Sequence, residues 1–273
     1  MCCRLFLQTL VVALLSALNL AAQNTPAELP EYAKFKDPKS KLWINTYGNI
    51  RISKRLFWVA QTHFRLQETE TTPFVGQVAQ VYNRHAIGYI YNKKFNASLG
   101  GVLRLNFNTD PLSEGKNLVP EFRIWHQYQF AVPVWSAMIY HRLRLEHRWS
   151  KGFNETSDYI YRNRWRYMFR VKQPLNSKKL KTKTLYIAPE MEVIMQSGKA
   201  VVASPMEDLR LTTTMGYILT PRLTLAAGLM YSTGQTLENG GNYKQAYTIR
   251  VHAYFSPDIR KVRNKLPEIH YRD

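Results

Sequence analysis

Residues 159–172 read YIYRNRWRYMFRVK, a run of two-residue alternation. Tyr159, Tyr161, Asn163, Trp165, Tyr167, Phe169 and Val171 share one parity, and Ile160, Arg162, Arg164, Arg166, Met168, Arg170 and Lys172 share the other. A strand points successive side chains to opposite faces, so one face here is aromatic and apolar and the other nearly all cationic. A wall with those two faces fits between a dry exterior and a wet, charged interior.

The pattern recurs along the chain. Eleven segments of strand length follow one another: 42–52, 56–68, 79–91, 95–107, 118–132, 136–149, 159–172, 183–195, 207–218, 222–233 and 245–256. Most keep one apolar parity, as in Leu56, Trp58, Ala60, Thr62, Phe64 and Leu66, or Leu209, Leu211, Thr213, Met215 and Tyr217. Spanning strands of a membrane barrel need about 9–11 residues of this dyad period, with a polar interior and aromatic girdles. A secreted β-sandwich alternates too, but its strands run to only about 5–6 residues. Nor would its packed face hold Arg162, Arg164, Arg166 and Arg170 together. These lengths predict an all-β protein, a transmembrane antiparallel up-and-down β-barrel, with the aromatic face toward lipid and the cationic face toward the lumen.

Composition agrees with an envelope location. The 38 Lys and Arg against 19 Asp and Glu leave a net charge of +19, which by itself suggests nucleic acid or an anionic membrane surface. The 17 tyrosines and six tryptophans favour the membrane, because amphipathic rings suit places dry at one end and wet at the other. Residues 1–22 read as a secretory signal: Arg4, an apolar run from Leu5 to Leu18, and the small pair Ala21-Ala22 before Gln23. Cys2 and Cys3 lie within it, so the exported chain is expected to hold no disulfide and no thiolate metal site. No later stretch approaches the roughly 20 apolar residues of a spanning helix.

Connections alternate short and long, and in outer-membrane barrels the short turns are periplasmic and the long loops extracellular. The last strand then ends in the periplasm at Phe255, while the first runs downward and leaves an odd count. Bacterial single-chain barrels are even-numbered. A twelfth, upward strand is therefore expected within residues 24–40, with LPEYAKFK as its best candidate; the alternative is that this stretch plugs the lumen. The expected organisation is a signal peptide (1–22), an N-terminal segment (23–40), a barrel of 12 strands, within a range of 10–12 (41–256), and a basic periplasmic tail (257–273).

Opposed residues can be estimated from the loop centres. Glu146 falls opposite Arg164 and Arg144 opposite Arg166; Arg164 then faces Glu192, Arg166 faces Glu190, and Glu192 faces Arg210. The lateral row Glu146, Arg164, Glu192, Arg210 alternates in sign, and opposed ions across a sheet stabilise each other. Such a row can be purely structural, filling a narrow barrel. Its functional reading rests on excess cations: Arg142, Arg144, Arg148, Arg162, Arg166, Arg170 and Lys172 outnumber the carboxylates of that sector, and unpaired guanidinium groups would select anions.

No catalytic constellation is recognisable. The histidines are His63, His85, His126, His141, His147, His252 and His270, of which His141 and His147 share the lipid-facing parity with Leu143, Leu145 and Trp149 and read as interfacial residues. There is no Gly-x-Ser-x-Gly, no His-x-x-x-His helix site and no phosphate loop.

The runs YHRLRLEHRW, YRNRWRYMFRVKQPL, LYIAPEMEVIM and EDLRLTTTMGYILTPRLTLAAGLMYS resemble the outer-membrane family catalogued as domain of unknown function 2490. The most specific part is Arg142, Arg144, Glu146 and Arg148, then Arg162, Arg164 and Arg166, then Glu190 with Glu192. Leu209 stands where members often carry Asn, and Pro189 inside a strand suggests a bulge or an irregular rim. The resemblance implies a β-barrel of unassigned biochemical function. The expected function is a narrow or gated, porin-like pore or a binding barrel for anionic solutes or envelope components. The alternatives are a lipid-modifying hydrolase of the outer membrane and a structural or assembly protein with a sealed, salt-bridged lumen. No cofactor or metal is expected. The expected partners are outer-membrane lipid including lipopolysaccharide, the barrel-assembly machinery during insertion, and a small anionic solute, with no role for nucleic acid.

Overall fold

The computed structural model describes residues 34–110, 114–199, 201, 205–235 and 242–265. The signal segment, residues 23–33 and the tail beyond residue 265 lie outside that range. The described chain is all-β. After a two-residue strand β1 (Lys34–Phe35) come β2 (Lys39–Arg51), β3 (Leu56–Gln67), β4 (Gln77–Asn92), β5 (Phe95–Phe107), β6 (Leu118–Val134), β7 (Ala137–Ser150), β8 (Ile160–Pro174), β9 (Leu185–Ser197), β10 (Met206–Thr220), β11 (Leu223–Gln235) and β12 (Asn242–Phe255). Each of the long strands lies within three residues of the span its alternation predicted.

Neighbours from β2 to β12 pair antiparallel in chain order, and β12 returns to β2 to close the wall. This closing pair is parallel, running from Ala246 opposite Lys39 to Phe255 opposite Gly48. With eleven staves that alternate in direction, the first and last must run the same way, so closure demands a parallel seam. The expected twelfth strand does not complete the barrel among the described residues. Lys34 and Phe35 pair parallel with Asn242 and Tyr243, along the same edge that β2 continues, so β1 is an interrupted start of β2 and not an added stave. Asn45 holds the seam from inside: its Oδ1 lies 2.6 Å from His63 Nδ1 on β3, and its Nδ2 lies 3.4 Å from His252 Nδ1 on β12.

The two ends differ. One carries the turns 52–55, 93–94, 135–136 and 221–222, with the longer 175–184 as the exception; the other carries the loops 68–76 and 151–159 and the described parts of 108–117 and 198–205. We call these the short-turn and loop-rich ends. The chain does not leave the barrel at Phe255. Arg51 N–H donates to Pro257 O and Ile259 N–H donates back to Arg51 O, which lays the start of the tail against the short-turn end.

The parities sort as expected. Outward positions form a belt of exposed apolar side chains, from Trp58 and Phe64 on β3 through Leu99, Ile124, Trp165 and Leu229 to Val251 on β12. Inward positions are charged in the half near the loop-rich end and more apolar below it, where Phe57, Val59, Ala86, Val102, Trp125, Tyr140 and Met168 form one buried cluster. Inward glycines make room for the rings. Phe57 lies opposite Gly88 and Tyr186 opposite Gly216, and a Cβ on either glycine would collide with the facing ring. Pro189 introduces no bulge. The β8–β9 ladder keeps one register from Arg170 opposite Glu190 to Gln173 opposite Ile187 and only drops the intervening pairs, because proline has no N–H to donate.

Candidate functional site

The upper half of the lumen is a lattice of ion pairs. Glu146, buried on β7, receives Arg123 Nη1 at 2.7 Å and Arg166 Nη1 at 3.0 Å, with Arg164 Nη1 at 3.4 Å and Arg84 Nη2 at 3.7 Å. Glu192 on β9 takes Arg142 Nη2 and Arg166 Nη2, each at 2.7 Å, and Arg210 Nη1 at 3.4 Å. Glu121 on β6 takes Arg123 at 2.5 Å, Arg148 at 3.0 Å and Arg104 at 3.1 Å. Glu207 joins Arg164 to Arg148, and Glu190 pairs with Arg170 and lies 3.7 Å from Arg250. A buried carboxylate is tolerable only when its charge and lone pairs are met, and the guanidinium fork meets two carboxylates at once. Arg166 does this between Glu146 and Glu192, and Arg123 between Glu121 and Glu146.

Aromatic rings also lie between the guanidinium groups. Arg65 stacks over Trp43 at 3.7 Å and Tyr82 at 4.2 Å and donates to the Tyr82 hydroxyl at 2.9 Å. Arg144 sits over Trp125 at 4.9 Å and donates through Nε to Gln127 Oε1 at 2.8 Å. Ring faces carry partial negative charge, so they soften repulsion among neighbouring cations.

All eleven residues of the expected charge row project inward: Arg142, Arg144, Glu146, Arg148, Arg162, Arg164, Arg166, Arg170, Glu190, Glu192 and Arg210. Two of the three estimated registers hold, with Glu146 opposite Arg164, Arg144 opposite Arg166, and Glu192 opposite Arg210. The β8–β9 register differs by four residues. Arg164 faces Gln196 and Arg166 faces Ile194, while Glu192 faces Met168 and Glu190 faces Arg170. The reason is local: β8 continues through Pro174 and β9 starts only at Leu185, which moves the loop centre. Arg166 therefore bridges Glu146 and Glu192 in the place expected for Arg164, which turns instead to Glu207.

The cation excess also lies elsewhere than expected. Arg142, Arg166 and Arg170 are ion-paired with Glu192, Glu146 and Glu190 of the row itself, and Arg148 with Glu121 and Glu207, which the row omitted. Glu121 was legible by parity, sharing its face with Arg123 and Trp125. Glu207 was not, since its parity is that of the outward Leu209 and Leu211, and only the register shift between Met206 and Asp208 brings it into the lattice.

The excess collects in a cup of about 680 Å³ that opens at the loop-rich end, lined by Lys39, Lys41, Arg65, Arg162 and Lys244 with Glu207 and Asp208. Glu207 is engaged by Arg164, and Asp208 by Arg210 at 2.7 Å. Among the described residues, Lys39, Lys41, Arg65 and Lys244 form no ion pair. Under the cup the lumen narrows to voids of about 40 Å³ beside Arg144 and Glu192 and about 10 Å³ beside Lys172 and Tyr254.

The outward histidines take no part in this. His141 Nδ1 lies 2.8 Å from the Tyr167 hydroxyl, and His147 Nδ1 lies 2.7 Å from Asn163 Oδ1, with the His126 ring stacked at 5.8 Å. They are neighbours of the aromatic side chains on the outer face. Among the described residues, no three His, Cys, Asp or Glu side chains converge as a metal site.

No curated protein matches this chain. Residues 40–243, from the second residue of β2 to the start of β12, match a family described as a protein of unknown function, DUF2490. The match spans the charged lattice and all but the last strand of the wall, and the chain belongs to that family.

Proposed function

We propose that this protein is an outer-membrane barrel that binds an anionic solute or envelope component in its cationic cup, above a lumen closed by its own ion pairs. The membrane reading is supported by strands of 12–17 residues and by the belt of exposed apolar side chains around the outside. Water would penalise such a surface and hydrocarbon would not. By loop length, the loop-rich end is the extracellular one.

The cup carries the binding reading. Lys39, Lys41, Arg65 and Lys244 line a recess in which cations outnumber the three carboxylates, Asp37, Glu207 and Asp208, the arrangement that favours an anion over water. The filled lumen below argues for a binding barrel and against an open pore. A sealed structural protein is the second reading, and the ion-pair lattice is the observation that favours it.

Two measurements on refolded protein separate them. In planar bilayers the closed lumen predicts no steady single-channel conductance. Trp43 lies in the cup beneath Arg65, so its fluorescence should report added inorganic pyrophosphate. K41Q/K244Q should weaken that response about tenfold, given the electrostatic term lost with two facing cations. Stable anion-selective conductance would restore the pore, and a flat fluorescence response with correct folding would leave the structural reading.

A further inference from the structure

The short-turn end carries a second cationic feature, outside the lumen. Its connections read ISKR (52–55), KK (93–94), WS (135–136), LNSKKLKTKT (175–184) and PR (221–222), and none contains an acid. The tail that folds against this end reads SPDIRKVRNK (256–265), and its single acid, Asp258, is held by Arg260 at 2.7 and 2.9 Å. The lysines of the turns point into solvent, as do Lys261, Arg263 and Lys265. At the opposite end the loops 68–76, 108–117 and 151–159 each carry two acids and at most one lysine. At the short-turn rim, four of the five connections and the tail carry cations with no acid among those connections, and the β6–β7 turn supplies Trp135 instead.

The same rim exposes apolar side chains beside the lysines. Tyr91, Leu175, Ile259 and Val262 are each exposed, and Trp135 at the tip of the β6–β7 turn is fully so. Trp135 holds φ at 51°, a left-handed conformation that a bulky residue adopts only against its preference. A tryptophan held out at that cost, level with a ring of lysines, matches the headgroup layer of a bilayer. Indoles settle there, and cations meet phosphate.

We infer that the short-turn rim is a polybasic, tryptophan-tipped collar that recruits anionic phospholipid, phosphatidylglycerol or a lipid with the same headgroup charge, to the leaflet around it. A ring suits a planar surface that surrounds the barrel; a soluble partner would need only one patch. Lipopolysaccharide is disfavoured as the source of phosphate, because on the loop-length reading it lies at the loop-rich end, away from this rim. The collar's role rests on the membrane reading proposed above.

The test uses the full exported chain inserted in vesicles of phosphatidylcholine with about 20 mol % phosphatidylglycerol, a fraction that sets a moderate surface charge. Lipid co-isolated with the protein in polymer-bounded discs is quantified by mass spectrometry. Phosphatidylglycerol should be enriched about threefold over the vesicle average at low salt and return to the average in about 1 M salt, where the screening length falls to about 3 Å. K93Q/K94Q/K178Q/K179Q/K181Q/K183Q should lose the enrichment, whereas the cup variant K41Q/K244Q should keep it. If the collar variant does not fold, as judged by heat-modifiable gel mobility, the salt series on the unaltered protein and the single W135A variant decide. Failure to insert at all would overturn both the membrane reading and the collar. Insertion with bulk-like lipid would overturn the collar alone. A collar that binds dextran sulfate while its lipid stays bulk-like would assign the rim to a soluble anionic polymer and overturn the lipid assignment.

Discussion

Arg166 shows how one side chain can organise the lattice. It spans Glu146 at 3.0 Å and Glu192 at 2.7 Å, so both carboxylates lose a partner if it goes. Glu192 is the sharper test, because it neutralises Arg142, Arg166 and Arg210 together. E192A should destabilise the barrel by about 3–5 kcal/mol, the usual cost of stranding buried charge, read by urea unfolding of vesicle-inserted protein. E192Q, which keeps acceptors but removes the charge, should cost less. Equal stability in all three proteins would mean that the arginines are solvated and the lumen open. That these residues face inward was legible in the sequence, since parity needs only the neighbouring residues. Which arginine meets which glutamate was not, because it depends on strand offsets that parity leaves free.

At the scale of elements, loop 68–76 is tied down by a single carboxylate. Glu68 accepts hydrogen bonds from the Ser40 N–H at 2.7 Å and the Ser40 hydroxyl at 2.6 Å, and the same Ser40 oxygen accepts from the Phe74 N–H at 2.9 Å. The Ser40 hydroxyl bond, offset by partial burial and reinforced by the Ser40 N–H and by Lys39 and Lys41, holds the Glu68 carboxyl below its usual range. A depressed pKa means that the folded loop favours the ionised form. Its stabilisation is present above the ordinary glutamate value of about 4.3 and fades as pH falls through the lower folded value. Amide exchange in residues 68–76 should therefore accelerate below about pH 4, relative to exchange in β3, and E68Q should show the faster rate already at neutral pH. A pH-independent protection ratio would contradict the role of Glu68. Strand spans came through from sequence to structure within three residues, but this tether did not, since Ser40 and Glu68 belong to different strands' ends.

The whole molecule depends on how its first and last long strands meet. Ile44 and Val251 are opposed across the parallel seam and both face outward. Cys2 and Cys3 are the only cysteines of the chain, so I44C/V251C would introduce the only pair within the barrel. Opposed strand residues fall inside the Cα separation of about 4.4–6.8 Å that a disulfide requires. The variant should oxidise spontaneously and shift in non-reducing gels. A strand from residues 24–33 inserted between β12 and β2 would hold the two cysteines apart and abolish the cross-link, which makes the eleven-stave closure testable in one experiment.

Local sequence is enough to specify the kind of wall. Dyad alternation places Trp165 and Leu211 on one side and Arg166 and Arg210 on the other, because side-chain direction along a strand is a local property of the backbone. The stave number, the parallel seam, the four-residue difference at β8–β9 and the transfer of excess charge from the wall to the cup were decided only in the tertiary structure. Each depends on how far one strand slides past another before its hydrogen bonds lock. That offset is set by loop lengths, by a proline without an N–H and by distant carboxylates such as Glu207 competing for the same arginines.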